Sequence, residues 1–259
     1  AALGAGIAMS LFSSLFWTIL LAVLGFLLVS IPLNLWVRKK QEHIFKDVQA
    51  MIEEAQNSIR RKVQQMQSKP VSSNKAIQKQ LEKQQEAAIR KALQELDRAT
   101  PLNRWNLLAE RQTNTLRGQL NYQIKEFETA DQNFEKSLNL DPMTVAMKMA
   151  RAYKKQDDAR LRKLFHKGKK RFKGDKGVMI YALYSWILIK EDRLDEAIAV
   201  LEEGKKKTED PVLTANWEHL VNDRKTRFSN AGLGDFWYSL HLEVPKPVKM
   251  KQRRGRARF

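Results

Sequence analysis

The sequence predicts an all-α protein, and three observations support that class. Only 11 Gly and 7 Pro occur in 259 residues, and polar helix formers are abundant. No Lys, Arg, Asp or Glu occurs before residue 38. Beyond that point apolar residues recur at helical three- and four-residue steps. We therefore expect a transmembrane anchor, a helical hairpin stalk, a set of stacked helical hairpins, and an aromatic segment with a basic tail, at 1–37, 38–100, 101–228 and 229–259.

The N-terminal segment is long and apolar enough to cross a bilayer. Leu11–Trp36 exceeds the roughly 20 residues that a transmembrane helix needs. Trp17 and Trp36 lie 19 residues apart, which is about 28 Å of helix and close to the ~30 Å hydrocarbon thickness. We expect these two indoles at the two membrane interfaces. A cleaved signal peptide is not favoured, because a basic n-region is missing and the apolar run is too long.

The first charged residues, Arg38, Lys39 and Lys40, predict the orientation. They follow the apolar run, and the positive-inside rule assigns that side to the cytoplasm. We therefore predict a single-pass protein of a bacterial inner membrane, with its N-terminus outside and its C-terminal domain cytoplasmic. These three cations, Trp17 and Trp36 are the predicted membrane-interface residues.

Two periodic runs predict paired helices after the anchor. The a and d positions of the first run are Phe45, Val48, Ile52, Ala55, Ile59 and Met66, with Lys62 breaking one d position. The second run consists of Ile77, Leu81, Ala88, Ala92 and Leu96 and ends near Pro101. Pro70 and three Ser between the runs predict a turn. We favour an antiparallel hairpin, and the alternative is an intermolecular coiled coil that would make the protein a dimer.

Three later segments share a pattern of small and aromatic residues. In Leu116–Pro142 its members are Gly118, Ala130, Phe134, Ser137 and Pro142. In Met149–Phe172 they are Ala150, Tyr153, Phe165 and Gly168, with one residue deleted and Leu161 where Ala is usual. In Tyr181–Lys207 they are Tyr181, Tyr184, Ser185, Ala197, Leu201 and Gly204. The pattern resembles the tetratricopeptide repeat, a helical hairpin of about 34 residues.

The resemblance covers Leu102–Phe228 and implies a tetratricopeptide-like solenoid. Its concave groove would bind peptides or protein segments, and it would perform no catalysis. Small residues would let the paired helices touch, and the aromatic would fill the space toward the next repeat. Asp210 and Pro211 open a further helix, which we interpret as a cap. The second helix of each hairpin would lie on the convex side.

Positive charge is concentrated in two places. The net charge of +18 favours an anionic partner, such as phospholipid headgroups, RNA or an acidic protein surface. Residues 151–176 carry twelve Lys or Arg against three Asp, and Pro245–Phe259 carries seven and no acid. A solvated face is the alternative interpretation of the first region. The tail should be disordered alone and fits an RNA or an anionic lipid surface. The predicted partner-binding residues are Arg151, Lys154, Lys155, Lys163, Lys167, Lys169, Lys170, Arg171, Arg253, Arg254, Arg256 and Arg258.

The sequence lacks a recognisable catalytic or metal-binding motif. It has no Cys, so disulfides, thiolate metal sites and cysteine nucleophiles are excluded. The four His are isolated from one another and do not have zinc-ligand spacing. We expect no catalytic residue, metal or cofactor. The predicted function is a membrane-tethered scaffold, assembly factor or accessory subunit of a membrane protein complex. The alternative is a membrane receptor for ribosomes or RNA, and oligomerisation through the stalk is a weaker possibility.

Overall fold

The computed structural model describes residues 2–67, 74–103 and 107–245, and every regular element in these ranges is a helix. This confirms the predicted all-α class. The chain forms two compact units. The first runs to Ile124 and includes Glu135–Ser137, and the second comprises Lys125–Phe134 and the chain from Leu138 onward. The sequence predicts a domain boundary after residue 100. The difference arises because Leu120 belongs to the hydrophobic core of the first unit and the partly buried Ile124 packs against that core.

The first unit is dominated by one very long helix. Its helices are α1 (Ala2–Gln67), α2 (Asn74–Leu96), α3 (Thr100–Asn103) and α4 (Leu107–Gln123). The anchor and the first half of the stalk form α1 together, without an interruption at Pro32. This helix is long and apolar enough to cross a membrane. From Trp17 to Trp36 its large apolar side chains are exposed, apart from the half-buried Leu33, whereas Val37 is fully buried.

Helices α1 and α2 pack side by side and run antiparallel. Lys62, near the end of α1, donates a 2.9 Å hydrogen bond to Gln84, in the first half of α2. The core of the unit lies nearer the other end of this pair and contains Val37, Ile44, Val48, Ile89, Ala92, Leu96, Ala99, Leu102 and Leu120. Buried Gln41 ties α1 to α4, because its amide donates to the carbonyl oxygen of Ala109 at 2.8 Å. The predicted turn at 68–73 lies outside the described residues.

The second unit is a stack of helical hairpins. Its helices are α5 (Phe127–Glu135), α6 (Pro142–Lys154), α7 (Asp158–Arg171), α8 (Val178–Lys190), α9 (Leu194–Thr208), α10 (Pro211–Val221) and α11 (Asp235–Tyr238). Helix α6 packs on α7 and α8, and α8 packs on α9 and α10. Residues 180–188 of α8 are all buried, which makes α8 the central helix of the unit.

The same helix-ending turn recurs three times in this unit. Gln156, Asp192 and Asp223 each have a left-handed backbone, with φ of 57°, 60° and 54°. In each case the next amide donates to a carbonyl oxygen five residues earlier, at 2.9, 2.9 and 2.7 Å. This hydrogen bond is the mark of a Schellman ending. The chain therefore reverses by one mechanism after α6, α8 and α10.

Two glycines let the hairpins approach closely. Gly204 of α9 lies between Tyr181 of α8 and Leu213 of α10. Gly168 of α7 has the corresponding place between Val145 of α6 and Ile180 of α8. A side chain at either position would meet two helices at once. The two hairpins therefore use a glycine at the same structural position.

We expect Gly204→Ala to destabilise the second unit by about 1–3 kcal/mol. The added Cβ would lie 2.9 Å from Tyr181 Cγ and 3.0 Å from Tyr181 Cβ, so α8 or α9 must shift. Gly168→Ala is the matched control, because its nearest contact would be 3.2 Å from a methyl group of Ile180. Alanine also gains about 1 kcal/mol of helix propensity there. Amide hydrogen exchange of the full chain in detergent compares the two variants. Equal destabilisation by both would contradict the steric argument.

Candidate functional site

A cleft opens where three helices of the second unit begin. It has a volume of ≈ 380 Å³ and is lined by Asp141, Pro142, Met143, Asp175, Lys176, Val178, Met179, Asp210, Leu233 and Phe236. Asp141 caps α6 by accepting from the amide of Thr144 at 2.8 Å. Asp210 caps α10 by accepting from the amides of Val212 and Leu213 at 2.9 and 3.0 Å. Helix capping therefore orders two of the three aspartates at the cleft.

The fourth side of the cleft comes from the segment that follows α10. Asn230 is fully buried, donates to the carbonyl oxygen of Ala182 at 2.9 Å and accepts from Asn216 at 2.8 Å. Gly232 lies against Val212 so closely that a Cβ would be 2.8 Å from a methyl group. Gly234, with φ of 62°, then begins α11. These anchors hold the segment on α8 and α10.

A carboxylate bridges two indoles beneath α11. Trp237 is fully buried and its ring contacts that of Trp186 edge-on, with centroids 5.8 Å apart. Glu243 accepts from Nε1 of Trp186 at 2.8 Å and from Nε1 of Trp237 at 2.7 Å. The neighbouring Phe236 is 70% exposed at the cleft. These adjacent aromatics therefore have different roles: Trp237 packs the segment against α8, and Phe236 is exposed to solvent.

The cleft is lined by both apolar and acidic side chains. Met143, Val178, Met179, Leu233 and Phe236 supply the apolar surface. Three aspartates and one lysine supply the charges, so the described lining is net negative. Such a surface suits a segment that carries both apolar and basic side chains.

The predicted partner-binding cations fall into three groups. Lys163, Lys167, Lys170 and Arg171 are exposed on α7, and Lys154 is exposed at the end of α6. Arg151, Lys155 and Lys169 are instead held by acids of the same unit, with Arg151 and Lys155 on Asp131 and Lys169 on Glu203. Arg253, Arg254, Arg256 and Arg258 lie outside the described residues. Counting charge along the sequence identified the α7 surface and could not separate it from the internal pairs.

The exposed cations of α7 form a continuous basic face. Leu161, Leu164, Phe165 and Gly168 turn the opposite side of this helix into the core. Lys163, Lys167 and Lys170 follow one another at helical spacing, and they form no ion pair among the described residues. Repulsion between them makes an anionic partner favourable.

Lys169 belongs to a partly buried hydrogen-bond network around Glu203. Glu203 accepts from Lys169 at 2.7 Å, from Lys207 at 2.6 Å and from the hydroxyl of Tyr181 at 3.2 Å. Burial acts to raise the pKa of Glu203. The hydrogen bonds from Lys169 and Lys207 outweigh it and lower the pKa to about 2.

We expect Glu203 to make the second unit acid-sensitive. Its folded pKa of about 2 lies below the ordinary pKa of a glutamate, 4.5, so its contribution to stability is complete above pH 4.5 and is lost as the pH falls toward 2. The loss is about 2–3 kcal/mol. The free energy of unfolding of the full chain should be measured at several pH values. Glu203→Gln should be less stable than the unsubstituted chain at neutral pH, and its stability should change less between pH 4.5 and pH 2. Glu202→Gln is the control, because its pair with Lys206 is exposed and screened. Identical pH profiles of Glu203→Gln and the unsubstituted chain would contradict the prediction.

The predicted membrane-interface residues flank the exposed apolar part of α1. Trp17 and Trp36 are 59% and 55% exposed. The ammonium group of Lys40 lies 5.0 Å from the ring centroid of Trp36, in cation–π contact. Arg38 and Lys39 are exposed just beyond. These cations therefore begin where the large apolar side chains cease to be exposed.

The described ranges contain no group of three or more His, Cys, Asp or Glu that could hold a metal ion. No protein-family model matches this chain, and neither a curated protein nor a solved structure matches it.

Proposed function

We propose that the protein is a membrane-tethered scaffold, acting as an assembly factor or an accessory subunit of a membrane protein complex. The observation that carries the proposal is the cleft of the second unit, with Phe236 exposed at its edge. A large aromatic side chain beside a pocket is typical of the anchor points of protein interfaces. The resemblance of three segments to tetratricopeptide repeats supports the same function, as does the stacking of α6 to α10.

The tether is α1. Its exposed apolar residues between Trp17 and Trp36 would be unfavourable in water and suit the hydrocarbon of a bilayer. The cations at Arg38–Lys40 favour a cytoplasmic position for the chain that follows Trp36, with the N-terminus outside a bacterial inner membrane. A partner bound at the cleft would thereby be recruited to the cytoplasmic face of the membrane.

The chemistry of the cleft favours one class of ligand. The aspartates at residues 141, 175 and 210 line the cleft together with methionine, valine and phenylalanine side chains. Methionine-lined surfaces adapt to different apolar side chains. We propose a partner segment that inserts an apolar residue beside Phe236 and places a Lys or Arg near the aspartates.

A second candidate function is a membrane receptor for ribosomes or RNA. The basic face of α7 favours it, because Lys163, Lys167 and Lys170 are exposed at helical spacing. Phosphate contacts of this kind weaken steeply as the salt concentration rises. The two candidate functions therefore predict different responses to salt.

The test is purification of the tagged full chain from native membranes, with low-salt, high-salt and nuclease-treated portions. For the scaffold, a fixed set of membrane proteins survives salt and nuclease, is lost in Phe236→Ala, and is retained when Lys163, Lys167 and Lys170 are all changed to Gln. The receptor predicts the opposite pattern, with ribosomal proteins or RNA lost in the lysine variant and in high salt. Retention of the protein set in Phe236→Ala would contradict the cleft as its binding site.

A further inference from the structure

A second opening lies within the first unit, where α1 meets the start of α4. It has a volume of ≈ 460 Å³, within the range of small-molecule pockets, about 300–1,000 Å³. Its described lining consists of Ser30, Ile31, Asn34, Leu35, Arg38, Gln41, Leu108, Ala109 and Gln112. We call this opening the interface crevice.

One face of α1 brings polar groups to the interface crevice. Ser30, Asn34, Arg38 and Gln41 follow at intervals of four, four and three residues, so they lie on one side of the helix. Gln41 closes the inner end, because it is buried and hydrogen-bonded to Ala109. Arg38 is exposed and is the single charged residue of the described lining. The acid one turn away, Glu42, is paired with Lys46 at 3.1 Å.

The position of the interface crevice matters as much as its lining. Ile31, Leu35 and Leu108 are all more than half exposed beside it. Large apolar side chains of α1 are exposed as far as Trp36, and packing begins with the fully buried Val37. The interface crevice lies at this transition from exposed to packed side chains along α1. With α1 in a bilayer, it lies where acyl chains give way to phosphate groups.

We propose that the interface crevice binds one anionic phospholipid. The guanidinium of Arg38 donates hydrogen bonds to the phosphate oxygens, for which its planar fork is well suited. An acyl chain lies along Ile31, Leu35 and Leu108, and Gln112 offers a polar group to the glycerol ester region. A single cation above an apolar wall matches an amphiphile with one phosphate. The proposal rests on α1 lying in the membrane and is independent of the scaffold function.

The test uses the full chain in detergent and native mass spectrometry, with phosphatidylglycerol and phosphatidylcholine of identical acyl chains as probes. We expect one phosphatidylglycerol to bind saturably and more tightly than phosphatidylcholine. Arg38→Gln should weaken the binding of that lipid about 10- to 100-fold, and Arg38→Lys should restore part of it. Lys39→Gln is the matched control, because it removes the same charge from the adjacent residue, which does not line the crevice.

Three results would overturn the proposal. Equal weakening by Arg38→Gln and Lys39→Gln would indicate a diffuse field rather than a site. Equal retention of the two lipids would show that the phosphate charge is not recognised. A protein helix that co-purifies in place of the lipid, and whose removal does not restore lipid binding, would assign the interface crevice to a different occupant. Circular dichroism of each variant verifies that the helices are retained.

Discussion

Trp237→Ala should destabilise the second unit by about 3–5 kcal/mol, the usual cost of deleting a fully buried large aromatic side chain. The indole has no exposed surface and packs on Trp186 of the central helix α8. Its loss also removes one of the two indole donors to Glu243, whose carboxylate bridges both rings. A cavity and a weakened polar contact therefore arise together, beside the helix that contacts most of the unit.

The neighbouring residue provides a stringent control. Phe236→Ala removes an aromatic ring that is 70% exposed, so its effect on stability should be small. Hydrogen exchange of the full chain in detergent should show faster exchange along α8 and α10 in Trp237→Ala and almost unchanged exchange in Phe236→Ala. The scaffold proposal expects the reverse order for partner binding at neutral pH, provided that Trp237→Ala remains folded. Comparable destabilisation by both substitutions would refute the division of roles between these two aromatics.

The helices themselves could be predicted from local patterns. The apolar residues before Arg38 and the a and d positions after Phe45 both lie on α1. The second run, from Ile77 to Leu96, lies on α2, which ends at Leu96 and continues as a 3-10 turn before Pro101. Periodicity identifies such helices because each face of the helix has a single environment. It does not reveal that the anchor and the stalk share one uninterrupted helix.

The position of the segment that follows α10 could not be predicted, because it depends on contacts between residues that are distant in sequence. Asn230 bonds to Asn216 and to the carbonyl oxygen of Ala182, 14 and 48 residues earlier. Neither Asn has a local pattern that marks it as buried. The sequence predicts residues 229–259 to be separate from the repeats, whereas hydrogen bonds hold the part up to Glu243 on α8 and α10. The aromatic run at 236–238 indicates that some of these rings are buried, but it does not predict which one faces inward.

Turns and charges show the same limitation. The helix reversals at Gln156, Asp192 and Asp223 use left-handed residues that are not Gly, so the strongest sequence signal for such turns is missing. Charge counting treated all cations of residues 151–176 alike. Arg151 differs from Lys163 because its acidic partner, Asp131, is 20 residues earlier and on another helix. An exposed charge and a paired charge are distinguished only once the helices are packed.

Asp131→Ala should destabilise the second unit by about 2–3 kcal/mol, through the loss of an ion pair that is largely shielded from water. Arg151 donates to both carboxylate oxygens of Asp131 at 2.8–3.1 Å, and their side chains are 13% and 16% exposed. Burial acts to raise the pKa of Asp131, and hydrogen bonds from Arg151 and Lys155 outweigh it and lower the pKa. Removing the carboxylate leaves the guanidinium against the ring of Phe127 without this counter-charge.

A double-mutant cycle measures the interaction energy between Asp131 and Arg151 apart from the contribution of each residue alone. Arg151→Met removes the cation that Asp131→Ala leaves without its counter-charge. The double variant should therefore lose less unfolding free energy than the two single variants lose in sum. Glu128→Ala is the control, since Glu128 is one turn earlier on α5, is 87% exposed and lies 3.7 Å from the same guanidinium. Hydrogen exchange of α5 and α6 in the full chain compares the four variants with the unsubstituted protein. Strict additivity would show that Asp131 and Arg151 stabilise the unit separately, and Arg151 would then return to the set of cations available to an external partner.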